Sequence, residues 1–511
     1  MTPYKFRSDD TIGNLDAESD SFLSSCFLES NVYKILANFE NNMDFTKRII
    51  VGRTGSGKTA LLKQIKEDHR IKKTNEIEAE STVFEHIKNN VFISQLTDEK
   101  IDLRVFYKSL WVHVLLTKII ETIDTDRFMD LLKKPLSTIK KRYNIELAKD
   151  YIESFSNGFF NDNIISEMTD RMQNDLKASF SISGIGISGG TSSDTSQKIQ
   201  RETSRYVSSE LLKKQKEIIK IIEDEFSNEH QIKIVISIDD LDKSWLSSSE
   251  IRYDFINALL DAFKELVNVK SVKILISIRT DIMMGIYKNN LRQEEKDKAF
   301  ILPIKWSRQE ISEILDKRIN HLIKHRYQSK SDVSFSDVFS FPIKNTTVDN
   351  YILDRTMLRP RDAIDFINIC LSNSDGLNEM DENLVLRSEE EFYTSRKQAL
   401  VKEWISLYPH IKDYIDGISF LLNSNFTILE NKNTFEKIEE FLISKSKDNE
   451  GIEHNKIVTN PFDLINIWFM IGIVGIKKSD SLIIYSSFDK QELDITDQTK
   501  NFIIHPLFFR E

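Results

Sequence analysis

The chain has 511 residues, too many for a single hydrophobic core, so roughly two to four domains are expected. Its 40% hydrophobic and 29% charged residues are ordinary for a globular protein, and its net charge of −10 excludes an overall basic field, so nucleic-acid binding would need a local patch. Two cysteines, Cys26 and Cys370, exclude a disulfide framework and fit a reducing compartment.

The opening, MTPYKFRSDD, has no apolar leader region, and the longest apolar run, Ile465 to Ile476, is too short to cross a bilayer. A cytoplasmic protein without membrane contact is therefore expected. With only 15 Gly and 8 Pro, the chain should be rich in helix.

Residues 1–20 are polar and read as loosely ordered; from Phe22 the apolar spacing reads as helices leading to a first strand, Ile49-Ile50-Val51. Gly52-Arg53-Thr54-Gly55-Ser56-Gly57-Lys58-Thr59 follows, and Ala60-Leu61-Leu62 opens a helix. Strand, glycine loop and helix in this order form a phosphate-binding element. Glycines let the backbone come close to phosphate oxygens, and the helix N-terminus adds unpaired N–H groups and a positive dipole end. Lys58 is expected on the β- and γ-phosphates of ATP and Thr59 on its Mg²⁺. Residues Gly52 to Ala60 are thus assigned to the nucleotide, with Arg53 directed either to a neighbouring subunit's nucleotide or to solvent.

The charged segment Lys66 to Glu80 shows no clear period, and Val91-Phe92-Ile93-Ser94 is read as the second strand. A helix over Tyr107 to Glu121 is apolar nearly all round and should be buried. Residues from about 124 to 178 read as polar helices. Ala178 to Gly190 alternates Ser with Phe and Ile and reads as a hairpin, a better fit than the transporter-ATPase signature suggested by Ile187 to Thr191. Val207 to Phe226 reads as a long amphipathic helix, completing a helical insertion over about 100–230.

Ile232 to Ile238 is an apolar strand ending in Asp239-Asp240, and Val272 to Ile278 is another, ending in Arg279. Strands alternating with helices imply a parallel sheet, whose ligand groups come from the strands' carboxyl ends. Asp239 is expected to hold Mg²⁺ through its water shell and Asp240 to act as catalytic base; Lys58 and Arg279 complete the catalytic set. Arg279 either senses the γ-phosphate or pairs with Asp281. Asp242 either joins the site or neutralises Lys243.

Beyond these, a helix over Gln309 to His325, a loop over Gln328 to Thr347 and a helix over Ala363 to Leu371 are expected. Arg359 and Arg361, flanking Pro360, either close a lid over the nucleotide or pair with Asp362 and Asp365. The Asn-, Asp- and Glu-rich segment Ser372 to Glu391 marks a domain boundary. A helix over Phe462 to Ile471 followed by β-like runs, Ile473 to Ile476 and Leu482 to Tyr485, suggests a winged helix. The divisions are therefore 1–45 as lead-in, 46–300 as P-loop core, 301–385 as helical lid and 386–511 as a winged-helix-like domain.

GRTGSGKT, ISIDDLD, ISIRTD and LRPRDAIDFIN together resemble the AAA+/STAND-type P-loop ATPases of bacteria, with the KAP-like and related phage-defence ATPases the nearest fit. The resemblance implies an α/β core of the ASCE type with strand order 5-1-4-3-2. It implies an ATP-hydrolysing switch in anti-phage defence, acting as a homo-oligomer with a partner or effector protein. KAP proteins often carry membrane helices within the core, and this chain has none. A core of this kind with a winged helix also fits an initiator- or loader-like DNA-binding ATPase, the alternative reading.

Overall fold

The computed structural model describes residues 4–39, 46–79, 83–133, 139–155, 158–160, 163–183, 193–226, 233–241, 249–289, 293–428, 432–446, 458–479 and 482–509. The chain divides into two compact units: one of residues 1–31, 51–63 and 303–511, the other of residues 32–50 and 64–302.

The five-stranded sheet has the order β2-β3-β4-β1-β5, with β1 Ile49–Gly52, β2 Lys73–Glu78, β3 Ile234–Asp239, β4 Val272–Arg279 and β5 Ile301–Pro303. Read from the other edge this is 5-1-4-3-2, as the resemblance implied. β2 pairs with β3 and β3 with β4, both in parallel. β3 and β4 are buried along their length except for their last residues, Asp239 and Arg279. Near-continuous apolar sequence is what a parallel strand covered on both faces needs.

The second strand differs from expectation. It is Lys73–Glu78, an edge strand that buries only Ile77 and is polar elsewhere. Val91–Asp98 is instead a helix, capped by the Asn90 side chain accepting from the Ile93 N–H. Its Phe92, Ile93 and Leu96 fall on one helical face, so a short apolar run misled the strand assignment.

The helix Arg104–Ile123 is buried nearly all round, as expected, against the helix Ser249–Leu266. Trp111 donates its indole N–H to the Phe255 carbonyl at 3.1 Å, and the two rings lie 5.1 Å apart. The insertion is helical. Its Tyr151 hydroxyl meets His113 Nδ1 at 2.9 Å and accepts from Gln215 at 2.8 Å. Residues 178–183 end the helix Ile164–Ser183 rather than starting a hairpin; the remainder of that expected hairpin lies outside the described residues.

In the other unit, residues 4–20 are not loosely ordered. Phe6 and Ile12 are buried, Phe6 exchanges backbone hydrogen bonds with Gly376 and Leu377, and Arg318 donates to the Ile12 carbonyl and to Asp20. The helix Arg308–Arg326 opens on a capping box, Ser307 with Glu310. The expected loop over 328–347 contains a helical turn, Phe335–Val338, and the short hairpin β6 Pro342–Ile343 and β7 Thr346–Thr347. The helix Glu382–Trp404 runs unbroken through the expected boundary near residue 385. Near the C-terminus, the helix Pro461–Met470 precedes the antiparallel ribbon β9 Val474–Ser479 and β10 Leu482–Ile484. With β8 Asn425–Thr427 and β11 Asn501–Ile504 the ribbon forms a four-stranded sheet, order β10-β9-β11-β8.

In the unit of residues 32–50 and 64–302, Lys273 on β4 is fully buried and donates to the carbonyls of Ile35, Leu36 and Asn38. Lys273→Met would leave these acceptors without that donor. Its melting midpoint should fall by several degrees, the consequence of about 3 kcal/mol of lost stability. An unchanged or raised midpoint would mean that the buried ammonium costs as much as its bonds return.

Candidate functional site

The loop between β1 and the helix Lys58–Glu67 has the geometry of an anion cradle. Gly55 and Gly57 have φ of +79° and +91°, values that L side chains rarely adopt. A Cβ on Gly55 would stand 2.9 Å from the Cβ of Arg361, so only glycine fits beneath that side chain. The helix begins at Lys58, so Lys58, Thr59 and Ala60 form its first turn, where N–H groups lack intrahelical acceptors. Lys58 Nζ donates to the Gly52 and Arg53 carbonyls at 3.0 and 3.2 Å. Ser56 is buried, and its hydroxyl oxygen has no hydrogen-bond partner. A buried hydroxyl of that kind in a glycine cradle fits a phosphate. Trp306 spans the loop's outer side, donating its indole N–H to the Ser56 carbonyl at 2.8 Å.

Two arginines expected at the nucleotide have different settings. Arg359 is buried, and each of its side-chain nitrogens is engaged. Its Nε donates to Asp362 at 2.9 Å, its Nη1 to the Thr54 carbonyl at 3.1 Å, and its Nη2 meets the Met357 sulfur. It holds the loop at the Thr54 carbonyl. Arg361 lies over Gly55, with its backbone N–H on the Gly55 carbonyl at 3.3 Å. Its Nε donates to the Leu15 carbonyl at 3.0 Å, and among the described residues no hydrogen bond takes its two terminal nitrogens. Arg53 is engaged within the chain. It forms an ion pair with Glu403, at 3.4 Å from Nε and from Nη2.

The acidic half of the expected site is in the other unit. Asp239 ends β3, and Asp240 follows with φ +57°, a left-handed conformation that Asp tolerates better than most residues. That backbone turn takes Asp240 out of the strand's alternation. Arg279 ends β4 and grips Asp281 with a two-pronged fork, both bonds 2.9 Å; the salt bridge weighed from sequence is the one formed. Asp242 and Lys243 lie outside the described residues.

The KAP family P-loop domain matches residues 29–302, more than half of the 511, and a FunZ-associated C-terminal helical domain matches residues 309–401. The chain belongs to the KAP family. No curated protein matches it. Among solved structures, the ORC2 protein of Aeropyrum pernix, in ADPNP–ADP complexes, is similar at 10% identity with a TM-score of 0.35, over 94% of this chain and 90% of that one. Among the described residues of this KAP protein, no helix is long and apolar enough to cross a membrane.

The two Mg²⁺ ligands expected from sequence fall one in each unit, Thr59 in the first turn of the helix Lys58–Glu67 and Asp239 at the end of β3. Sequence reasoning missed Glu403, Trp306 and Glu78, the last in register with Asp239 on β2. Glu403 sits in a helix whose other residues are mostly polar, and no motif marks it.

Asp365 lies one helical turn beyond Arg361. Burial first, and Asp362 second, push its carboxyl up to about 6. A raised folded-state value makes the neutral form contribute stability below about pH 4, a contribution lost as pH rises through 6. Asp365→Asn should therefore raise the melting midpoint at pH 7.5, with the gain shrinking towards pH 4.5. Equal gains at both pH values would show that ionisation of this carboxyl is not the cause.

Proposed function

We propose that this KAP-family NTPase binds ATP with Mg²⁺ and hydrolyses it as a regulatory switch. The observation that carries the reading is the glycine cradle, with Gly55 closed over by Arg361 and the buried Ser56 hydroxyl left unbonded within it. Bound Mg²⁺ would neutralise charge on the β- and γ-phosphates. Lys58 would release the Gly52 and Arg53 carbonyls and place its ammonium on the phosphates, while the first-turn N–H groups of its helix accept the anion. Arg361, not Arg359, is the lid arginine, because its terminal nitrogens are the ones left to meet a phosphate. Asp240 orients and deprotonates the attacking water.

The resemblance to phage-defence ATPases supports a cytoplasmic switch acting with a partner protein and through self-association. A second reading is favoured by the C-terminal helix and ribbon. The ribbon ends in Lys477 and Lys478, and a winged helix so equipped would put this ATPase on duplex DNA.

Calorimetry with ATP and Mg²⁺ tests the cradle. Lys58→Ala should weaken binding about tenfold or more, the loss of a charged hydrogen bond worth roughly 1.5–3 kcal/mol. Asp240→Asn should keep ATP affinity and lose about 10²-fold or more in turnover. Equal turnover in wild type and Asp240→Asn would remove hydrolysis from the function. Strong stimulation by duplex DNA that fades steeply with salt would favour the second reading.

A further inference from the structure

The helix Glu382–Trp404 ends against the phosphate loop, and the contact is made by charge. The Glu403 side chain is 1% exposed. Its Oε1 accepts from the Thr54 backbone N–H at 3.3 Å and from Arg53 Nε at 3.4 Å; its Oε2 accepts from Arg53 Nη2 at 3.4 Å and lies 3.5 Å from Arg359 Nη1. Arg359 also holds the Thr54 carbonyl. Both main-chain polar groups of Thr54 are therefore bonded to one ion cluster, whose carboxylate arrives from some 350 positions along the chain. Asp362, fully buried, closes the cluster by accepting from Arg359 and from Arg396.

Two features show that the backbone has been bent to allow this contact. Met357 and Leu358, just before Arg359, have φ of +49° and +48°, strained for residues other than glycine. The Met357 sulfur rests against both Arg53 and Arg359. Gly472, after the helix Pro461–Met470, has φ +83°, and a Cβ there would fall 2.6 Å from Arg53 Nη1. A second C-terminal segment thus closes on the same arginine.

We infer that Glu403 is a positioning residue for the phosphate loop, and that through it nucleotide occupancy is coupled to the C-terminal helices. The inference rests on the cradle binding ATP. Inside the loop only the Ser56 N–H bonds back, to the Arg53 carbonyl at 3.1 Å, and the Glu403 cluster holds Thr54 from outside. Whatever ATP does to Arg53 and Thr54 is transmitted to the end of helix Glu382–Trp404. By linkage, whatever moves that helix changes ATP affinity by the same factor.

The sign of the effect separates positioning from bare charge. Glu403→Gln keeps the side chain's shape but removes the anion that neutralises Arg53. Were Glu403 only a negative charge near a polyanion site, its loss would tighten ATP binding. Held to a positioning role, Glu403→Gln should weaken it by about tenfold. Arg53→Gln, which leaves Glu403 paired with Arg359, should weaken it similarly, and the double variant no more than either single one. The Arg53 variant also serves if Glu403→Gln fails to fold.

Hydrogen exchange gives the second readout. In the wild type, ATP should slow exchange in residues 396–408, and in either variant this protection should be lost even at saturating ATP. Wild-type ATP binding together with wild-type affinity, tighter affinity or retained protection in the variants overturns the inference and leaves the cradle standing. Absence of ATP binding to folded wild-type protein overturns both.

Discussion

A loop that binds phosphate with its own main-chain N–H groups cannot also spend those groups on its own stability. In this KAP-family protein that constraint is met by a buried ion cluster. Arg359 and Glu403 take the carbonyl and the N–H of Thr54, and Arg53 of the loop itself is forked onto Glu403. Inside the loop, whose Gly55 and Gly57 have positive φ, one backbone hydrogen bond remains, from the Ser56 N–H to the Arg53 carbonyl.

Such a cluster is an expensive way to hold a loop. Charges out of water recover their solvation only when geometry and pairing are good, and an apolar replacement is often as stable. Three guanidinium groups, Arg53, Arg359 and Arg396, face two carboxylates, Glu403 and Asp362. The one positive charge in excess, with Lys58 at the loop's end and Arg361 lying over Gly55, suits a neighbouring polyanion. Burial alone would favour the neutral form of Arg53, and Glu403 is what opposes it. What the cluster adds over an apolar contact is directional: it fixes the loop's register and makes that register depend on a helix far along the chain.

The acids at the sheet's carboxyl edge follow a different logic. β3 and β4 are buried up to their final residues, so Asp239 and Arg279 mark the points where each strand meets polar surroundings. Asp240 is left-handed and Arg279 is committed to Asp281. The first is a strained backbone of the kind that gathers at functional sites. The second is a pairing that a phosphate would have to compete for.

Much of this was legible in the chain itself. The glycine spacing around Lys58, the apolar runs ending in Asp239 and Arg279 and the alternation of strands and helices are local patterns, each with a short-range physical cause. They determined that the sheet is parallel and where the phosphate cradle lies, while the sheet's strand order was what the family resemblance implied. Polar edge strand β2 was not legible, because an edge buries only Ile77 and shows no alternation. Val91–Asp98 was misread because a short apolar run suits a strand or a helix face equally well. The roles of Arg53, Arg359 and Arg361 could not be separated in sequence, since each is an arginine near a loop or helix start. Tertiary structure decided them by bringing Glu403 to Arg53 and Thr54, and long-range pairing of charges leaves no periodicity for a sequence to show.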